Sequence, residues 1–409
     1  MLRTRQRAFE SSHPWLTFRV DLRDAGHDFW ALLGESRSKI EHLTWSLLKP
    51  EVAAAMQMLF LAKGAQATTA IEGNTLTEED ALKLVEGEEL DLPPSQQYLA
   101  TEIENIVNAC NRMKDELLAG GSPDVTVAGI KQFNREVLSG LELDEGVVPG
   151  ELRTGGVVVG GRYRGAPAED CEYLLERLCA WLNSADFEPS ESDWAVPFAL
   201  IKAVVAHLYL AWIHPFGDGN GRTARLVELQ ILLAAGIPMP AAHLLSNHYN
   251  ITRSEYYRQL ARASESRGKI VPFLEYAVRG FVDGIRSELW QVREQQWSDR
   301  WEQYIYETFG PKVSQARDRR RHLVLEMSEH PDPIPRSKLP DLSVELAQAY
   351  AGTERTLSRD LNALKNMGLI ERVPEGWRPR RDAVLAFLPV RRAEAIDAPA
   401  LVDEPTDSR

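Results

Sequence analysis

Twelve residues concentrate the chemistry of this chain: His214-Pro215-Phe216-Gly217-Asp218-Gly219-Asn220-Gly221-Arg222-Thr223-Ala224-Arg225. A link between two core helices needs only a turn, so a histidine, an acid, an amide, two arginines and three glycines here call for a ligand. Gly219, Asn220 and Gly221 let the backbone take positive φ and approach a bound group closely. They open into a helix whose unpaired N–H groups and dipole favour phosphate. Arg222 and Arg225, three apart, share a helix face and can grip one polyphosphate. Asp218 can supply a carboxylate for Mg²⁺, which takes one or two carboxylates beside phosphate oxygens. His214 is the group in the stretch able to take a proton near neutral pH. A hydroxyl, a nucleoside triphosphate and Mg²⁺ in one place point to transfer of a phosphoryl or nucleotidyl group.

The flanking sequence supplies what must hold these groups. Phe198 to Ile213 and Leu226 to Ala235 have the length and apolarity of buried helices. Leu47 to Ala67 has helical spacing, with Val52, Met56, Leu59 and Phe60 on one face. It runs into Glu72-Gly73-Asn74, a helix end, and Thr75 to Glu79 reads as the cap of the next helix. Val157-Val158-Val159, set between two Gly-Gly pairs, predicts a short hairpin.

The signature His-Pro-Phe-x-Asp-Gly-Asn-Gly-Arg-x-x-Arg identifies the chain as resembling the Fic-domain proteins, matched at every fixed position. The resemblance implies transfer of AMP from MgATP to a Ser, Thr or Tyr hydroxyl of a protein, itself included. His214 would be the catalytic base, Asp218 the metal ligand, and Gly219, Asn220, Gly221, Arg222 and Arg225 the phosphate-binding set. The related phosphotransferase branch carries lysine where Gly221 stands. Thr68-x-x-x-Glu72-Gly73 resembles the family's inhibitory motif, so Glu72 is expected to occupy Arg225 and misplace ATP. Val157, Val158, Val159 and Gly160 look like the flap that binds the target segment by strand addition. Ser254-Glu255-Tyr256-Tyr257 resembles the adenine-side segment. The asparagine that many relatives carry seven residues after its second tyrosine is Ser264 here.

Of the 409 residues, 44% are hydrophobic and 26% charged, as in ordinary soluble proteins, and two or three domains are expected. A net charge of −13 argues against the whole molecule coating nucleic acid. Three cysteines, Cys110, Cys171 and Cys179, form no disulfide framework, as suits a cytoplasmic protein. No signal peptide or membrane span is expected. From Pro311 to Arg392, however, 16 Lys+Arg face 11 Asp+Glu. The order of segments there resembles a winged helix-turn-helix, with Arg355 and Arg359 as the candidate DNA contacts and Arg378, Arg380 and Arg381 on the wing.

The expected fold is therefore mainly α: a Fic-type helical core with a short β-hairpin flap, plus a C-terminal winged helix-turn-helix. The expected boundaries are 1–125 for the N-terminal helical region with the inhibitory helix and 126–290 for the catalytic core. A connecting helix over 291–312, the winged helix over 313–392 and a disordered tail over 393–409 complete the chain. A homodimer is the expected assembly. Two rival readings are removal of AMP from modified proteins and a DNA-binding regulator whose core senses ATP.

Overall fold

The most apolar stretch of the sequence becomes a helix buried on all sides. Ala195–Ile213 carries buried Leu200, Val204, Val205, Leu208 and Ile213 with no polar stripe. This segment is long and apolar enough to cross a membrane, but 78% of its most apolar window is buried inside the fold, the environment of a core helix. It packs most extensively against Asn220–Ala234, the helix that follows the signature loop. The active-site candidates thus sit on the short connection between two core helices.

The computed structural model describes residues 7–159, 163–312, 314–352 and 354–385. Two units result, one running to Leu289 and one beginning at Trp290. In the first, the regions expected over 1–125 and 126–290 share a single hydrophobic core. Ile71, Leu99 and Ile103 join Ile130, Leu174, Val204 and Leu226 in it. Pro50–Ala70 is the helix read from the Leu47 to Ala67 spacing, and it ends in a turn with Gly73 at φ 110°. Thr77 caps the next helix, Glu78–Val85, reciprocally with Asp80. Gln97–Leu118 and Val127–Val137 follow. The helix His27–Thr44 joins this core through buried Phe29, Leu32, Leu33 and Ile40.

Among the described residues the only sheets are two antiparallel pairs. One is the expected hairpin, cut to two residues a side, with Val158 opposite Arg164 and Val159 opposite Tyr163. Gly160 of the expected flap lies outside the described residues, as does the expected tail at 393–409. The segment expected to connect over 291–312 is the end of one helix, Val271–Phe309.

The second unit has its own core of Ile305, Leu323, Leu346, Leu361, Leu364 and Ile370. Its elements run helix Gln315–Ser328, a single bridge from Ile334 to Trp377, helices Val344–Tyr350 and Glu354–Asn366, and the hairpin Ile370–Val373 with Gly376–Pro379. Asp360 is fully buried and accepts hydrogen bonds from Arg319 and Arg320, each at 2.7 Å. That contact fastens two of these helices together.

Burial pushes both His243 and His248 down to about 4 from the ordinary 6.5. Between those values the folded state binds fewer protons than the unfolded chain. The stability held by a neutral His243 is therefore complete above about pH 6.5 and lost as pH falls toward 4, roughly 3 kcal/mol in all. Glu288, pushed up to about 8 by burial, works in the opposite sense. The His243 contribution is thus read as a difference: His243→Gln is expected to flatten the fall of the thermal midpoint between pH 6.5 and 4. Parallel curves for the two proteins would refute it.

Candidate active site

The signature loop is built by ending one helix abruptly and starting the next. His214 takes a left-handed conformation, φ 48° and ψ 62°, and its N–H still donates to the Leu210 carbonyl at 2.8 Å. Pro215 follows and cannot continue the helix. A non-glycine residue resists this conformation, so neighbours must impose it. Arg153 does so from the base of the hairpin. Its Nε donates to the His214 carbonyl at 2.7 Å, and its guanidinium also donates to the carbonyls of Gly155 and Ala166. Its backbone N–H meets the Pro215 carbonyl at 3.0 Å, next to a bridge between Leu152 and Phe216.

Phe216, 1% exposed, anchors the loop in the core. Asn220 then closes it: its Oδ1 accepts from the Phe216 N–H and its Nδ2 donates to the Phe216 carbonyl, both at 2.9 Å. The Asn220 amide is therefore a loop brace, and only its backbone N–H remains for a ligand. Asn134, fully buried, donates to the Asp218 carbonyl at 2.9 Å and accepts from the Gly150 N–H at 2.9 Å. Gly219 turns the chain at φ 74° into the helix that begins at Asn220. The first N–H groups of that helix, at Asn220, Gly221 and Arg222, have no acceptor within it.

The His214 ring lies in this frame as a neutral base. Burial is the main force holding its pKa down to about 4. The Arg153 charge lowers it further, while the Ala211 carbonyl and the carboxylates of Glu72 and Asp218 oppose the shift. At neutral pH it can accept a proton.

Glu72, on the turn after the Pro50–Ala70 helix, reaches the same place from across the fold. Its Oε1 lies 2.6 Å from Arg225, which also donates to the Thr68 carbonyl at 2.9 Å. A methyl group at Gly221 would stand only 2.1 Å from that carboxylate oxygen. Gly221 thus lets an anion lie directly over the start of the helix. Burial alone would raise the Glu72 carboxyl, but the charge and hydrogen bond of Arg225, helped by Arg222 and His214, hold it below the ordinary carboxylate value.

The two arginines do not point together into open space. Arg225, its side chain 1% exposed, meets Glu72; Arg222, 6% exposed, meets Glu102 at 2.6 Å and Asp218 at 3.5 Å. Asp218 also accepts from the Gly219 N–H at 2.5 Å, and its side chain is 53% exposed.

Beside the loop opens a cavity of about 620 Å³ lined by Glu72, Val159, His214, Gly221, Tyr256 and Tyr257. Tyr256 is buried, its hydroxyl 2.8 Å from His207 Nε2 and its ring stacked on Tyr249. His207 in turn lies 3.0 Å from buried Glu228. Tyr257 is 44% exposed and donates to the Ile71 carbonyl at 3.2 Å. Ser264 lines the cavity, but its hydroxyl donates to the Ala261 carbonyl of its own helix.

These residues fit a polyphosphate. Arg225 Nε, Arg225 Nη1 and Arg222 Nε are buried without hydrogen-bond partners, and a carboxylate already lies against the helix N-terminus. Among the described residues no group of three or more metal-binding side chains occurs, so Mg²⁺ would take most ligands from phosphate and water, with Asp218 as its protein ligand.

Residues 124–232 match the model described as Fic/DOC family, so the chain carries a Fic/DOC-family domain. It is 33% identical over 219 residues to a protein of Drosophila ananassae named protein adenylyltransferase Fic, spanning 51% of this chain and 38% of that relative. Protein adenylyltransferase fic-1 of Caenorhabditis briggsae is 32% identical over 218 residues, 52% of this chain and 38% of the relative. The match therefore spans about two fifths of the length of these curated relatives. Among solved structures, a Fic family protein from Desulfovibrio desulfuricans superposes with a TM-score of 0.51 at 22% identity, covering 87% of this chain and 96% of that one. A Fic-1 structure from Caenorhabditis elegans gives 0.52 at 24%, covering 65% and 73%. At these identities the likeness establishes the fold.

Sequence reasoning did not find Asn134, Arg153, Glu102 or the His207–Glu228 pair. Arg153 and Asn134 lie far from the signature in sequence and act through hydrogen bonds to its backbone. Glu102 looks like any acid on an amphipathic helix. Only the pairing of a histidine with an acid inside two apolar helices, His207 and Glu228, left a legible trace.

Asn134→Ala is expected to cost about 2 kcal/mol in denaturant unfolding, because buried partners lose their bonds. It should also reduce ATP binding while the helical signal persists. An unfolding free energy within a few tenths of wild type would show that the brace is not needed.

Proposed function

We propose that the chain transfers AMP from MgATP to a Ser, Thr or Tyr hydroxyl of a protein, itself included, and that Glu72 restrains it. The observation that carries this reading is the Glu72 carboxylate lying against Gly221 and Arg225, an anion seated at the helix N-terminus where phosphate binds best. Charge and hydrogen bonds that now serve Glu72 would otherwise be available to a nucleotide.

In this mechanism MgATP supplies an α-phosphorus with pyrophosphate as the leaving group. His214, neutral at pH 7, accepts the proton of the hydroxyl. The hydroxyl oxygen bonds to the α-phosphorus as the bond to the bridging oxygen breaks and pyrophosphate leaves. Asp218 would hold Mg²⁺. The N–H groups of Gly219 to Gly221 and the guanidiniums of Arg222 and Arg225 would bind phosphate oxygens, stabilising developing charge. Tyr256 and Tyr257 wall the side of the cavity where the base would lie. Val157, Val158 and Val159 are the proposed docking edge, with Val158 exposed and Val159 facing the cavity. The match to relatives named protein adenylyltransferase supports the same chemistry. Three buried free cysteines fit the reducing cytoplasm we propose as its setting.

Incubation with ATP labelled at the α or the γ phosphate tests this. The α-label is expected on the protein itself or on lysate proteins, more than tenfold stronger with Glu72→Gly than with wild type and absent with His214→Ala. Transfer of the γ-label would instead mean phosphate transfer. No label from any variant, with release of AMP from modified protein, would leave the reverse activity standing in its place.

A second reading concerns the unit beginning at Trp290. Its element order resembles a winged helix, and on helix Glu354–Asn366 both Arg355 and Arg359 are exposed with no acid partner among the described residues. The wing arginines are engaged: Arg378 by Glu371, Arg381 by Glu294 and Arg380, more distantly, by Asp382. DNA binding through that helix is accordingly proposed with two contacts at its centre. Reversal of Arg355 and Arg359 to Glu should abolish a salt-sensitive shift of duplex DNA and leave AMP transfer unchanged. Failure of the wild-type protein to shift DNA at low salt would remove this reading.

A further inference from the structure

Glu102 lies on helix Gln97–Leu118, outside the signature loop and outside the segment that carries Glu72. Its two carboxylate oxygens serve different masters. Oε1 accepts from Arg222 Nη1 at 2.6 Å, and Oε2 accepts from Asn74 Nδ2 at 2.9 Å. Arg222 and Glu102 are both nearly buried, their side chains 6% and 12% exposed. Asn74, 7% exposed, also donates to the Leu99 carbonyl at 2.8 Å and accepts from the Leu76 N–H at 3.0 Å. The residues just before it deliver Glu72 to Arg225, and Thr68 gives its carbonyl to the same guanidinium. One short stretch, Thr68 to Asn74, is thus bonded to Arg225 directly and to Arg222 through one intervening carboxylate.

We propose that Glu102 is a positioning residue that ties Arg222 to the segment carrying Glu72, so that both arginines are withheld from a nucleotide together. The chemistry follows from what each group lacks. Arg222 Nε is buried with no hydrogen-bond partner, so this guanidinium retains binding capacity that Glu102 does not use. Its other carboxylate neighbour, Asp218, stands at 3.5 Å, beyond a strong hydrogen bond. Glu102 is therefore the dominant hold on Arg222. That hold is strongest while Asn74 fixes the second oxygen, because a carboxylate bonded at both oxygens cannot swing away. Movement of the Glu72 segment breaks the Asn74 bond, loosens Glu102, and releases the second arginine along with the first. Glu72 alone controls one guanidinium; the bridge through Glu102 extends control to two.

The consequence for activity rests on the proposed AMP transfer, whereas the consequence for nucleotide binding does not. The experiment uses the full chain as wild type, Glu102→Gln, Glu72→Gly and the double variant. Two quantities are read: the dissociation constant for α-labelled MgATP by equilibrium dialysis, and the initial rate of α-label incorporation. Glu102→Gln keeps the shape of the bridge but removes the charge that holds Arg222, and charge-assisted hydrogen bonds of this kind carry factors of ten or more. It is expected to tighten ATP binding about tenfold over wild type and to raise the rate by a similar factor. In the Glu72→Gly background, where the segment no longer holds Arg225, the same change should shift both by less than about threefold. A support of the catalytic loop would behave oppositely, since its loss can only weaken binding and slow transfer. Glu102→Asp keeps the charge but is one carbon short of reaching both partners. It is expected to move in the same direction as Glu102→Gln, and it decides the matter if the glutamine variant folds poorly. Unchanged or weaker ATP binding in these variants, or a slower rate in both backgrounds, overturns the proposal. Absence of label from all four proteins would strike the AMP-transfer reading instead, and the dissociation constants would still decide the role of Glu102.

Discussion

A single carboxylate meeting a single guanidinium organises the first unit. The Arg225 side chain is only 1% exposed, and a buried charge without a partner is costly enough that the surrounding structure must supply one. Glu72 supplies it at 2.6 Å from a turn 153 residues earlier in the chain. For that to happen, the helix Pro50–Ala70 has to pack beside Asn220–Ala234 with its end level with the start of the latter. Gly221 must also lack a side chain, since a methyl there would fall 2.1 Å from the carboxylate. The pair gives the buried Arg225 charge its partner in this state. In the proposed mechanism it also obstructs a nucleotide, because the forces that recruit Glu72 are those that would recruit phosphate.

The loop between the two core helices depends on the same frame. His214 occupies a conformation that an isolated chain disfavours, and it does so because Arg153, Phe216, Asn220 and Asn134 each bind its backbone or that of its neighbours. Those bonds leave the histidine side chain with no structural duty beyond its contact with the Ala211 carbonyl. Burial then keeps it neutral, the state a base requires. Rigidity of the backbone and freedom of one side chain are achieved by different residues, which is why the signature needs both glycines and amides.

The second unit obeys a related rule with a different outcome. Arg319 and Arg320 sit in the basic run that distinguishes this region, yet both converge on buried Asp360 and serve packing. At Arg355 and Arg359, where a helix faces water, the positive charge stays available to a partner. Local excess of charge therefore overstates the surface on offer, because burial had first claim on part of it.

Much of this was legible in the sequence. The apolar run before His214, the turn glycines, the valine hairpin and the Thr77 cap each carry a local signal, since side-chain pattern and backbone preference act within a few residues. The signature fixed which groups would gather on one loop, and the Glu72 motif named a residue to meet Arg225. Other features had no local signal. Arg153 and Asn134 act on carbonyls and N–H groups, which every residue possesses, so sequence alone could not say whose they would be. Glu102 resembled a solvated acid until the packing of Gln97–Leu118 placed it beside Arg222 and Asn74. Arg222 and Arg225 were expected to share a face and grip one polyphosphate, and only the fold could reveal that a separate carboxylate meets each. The sequence by itself determined the elements and the inventory of reactive groups, because those follow from interactions near in the chain. Tertiary structure decided which charges were paired and which remained open, because burial and contact across more than a hundred residues set the cost of leaving a charge alone.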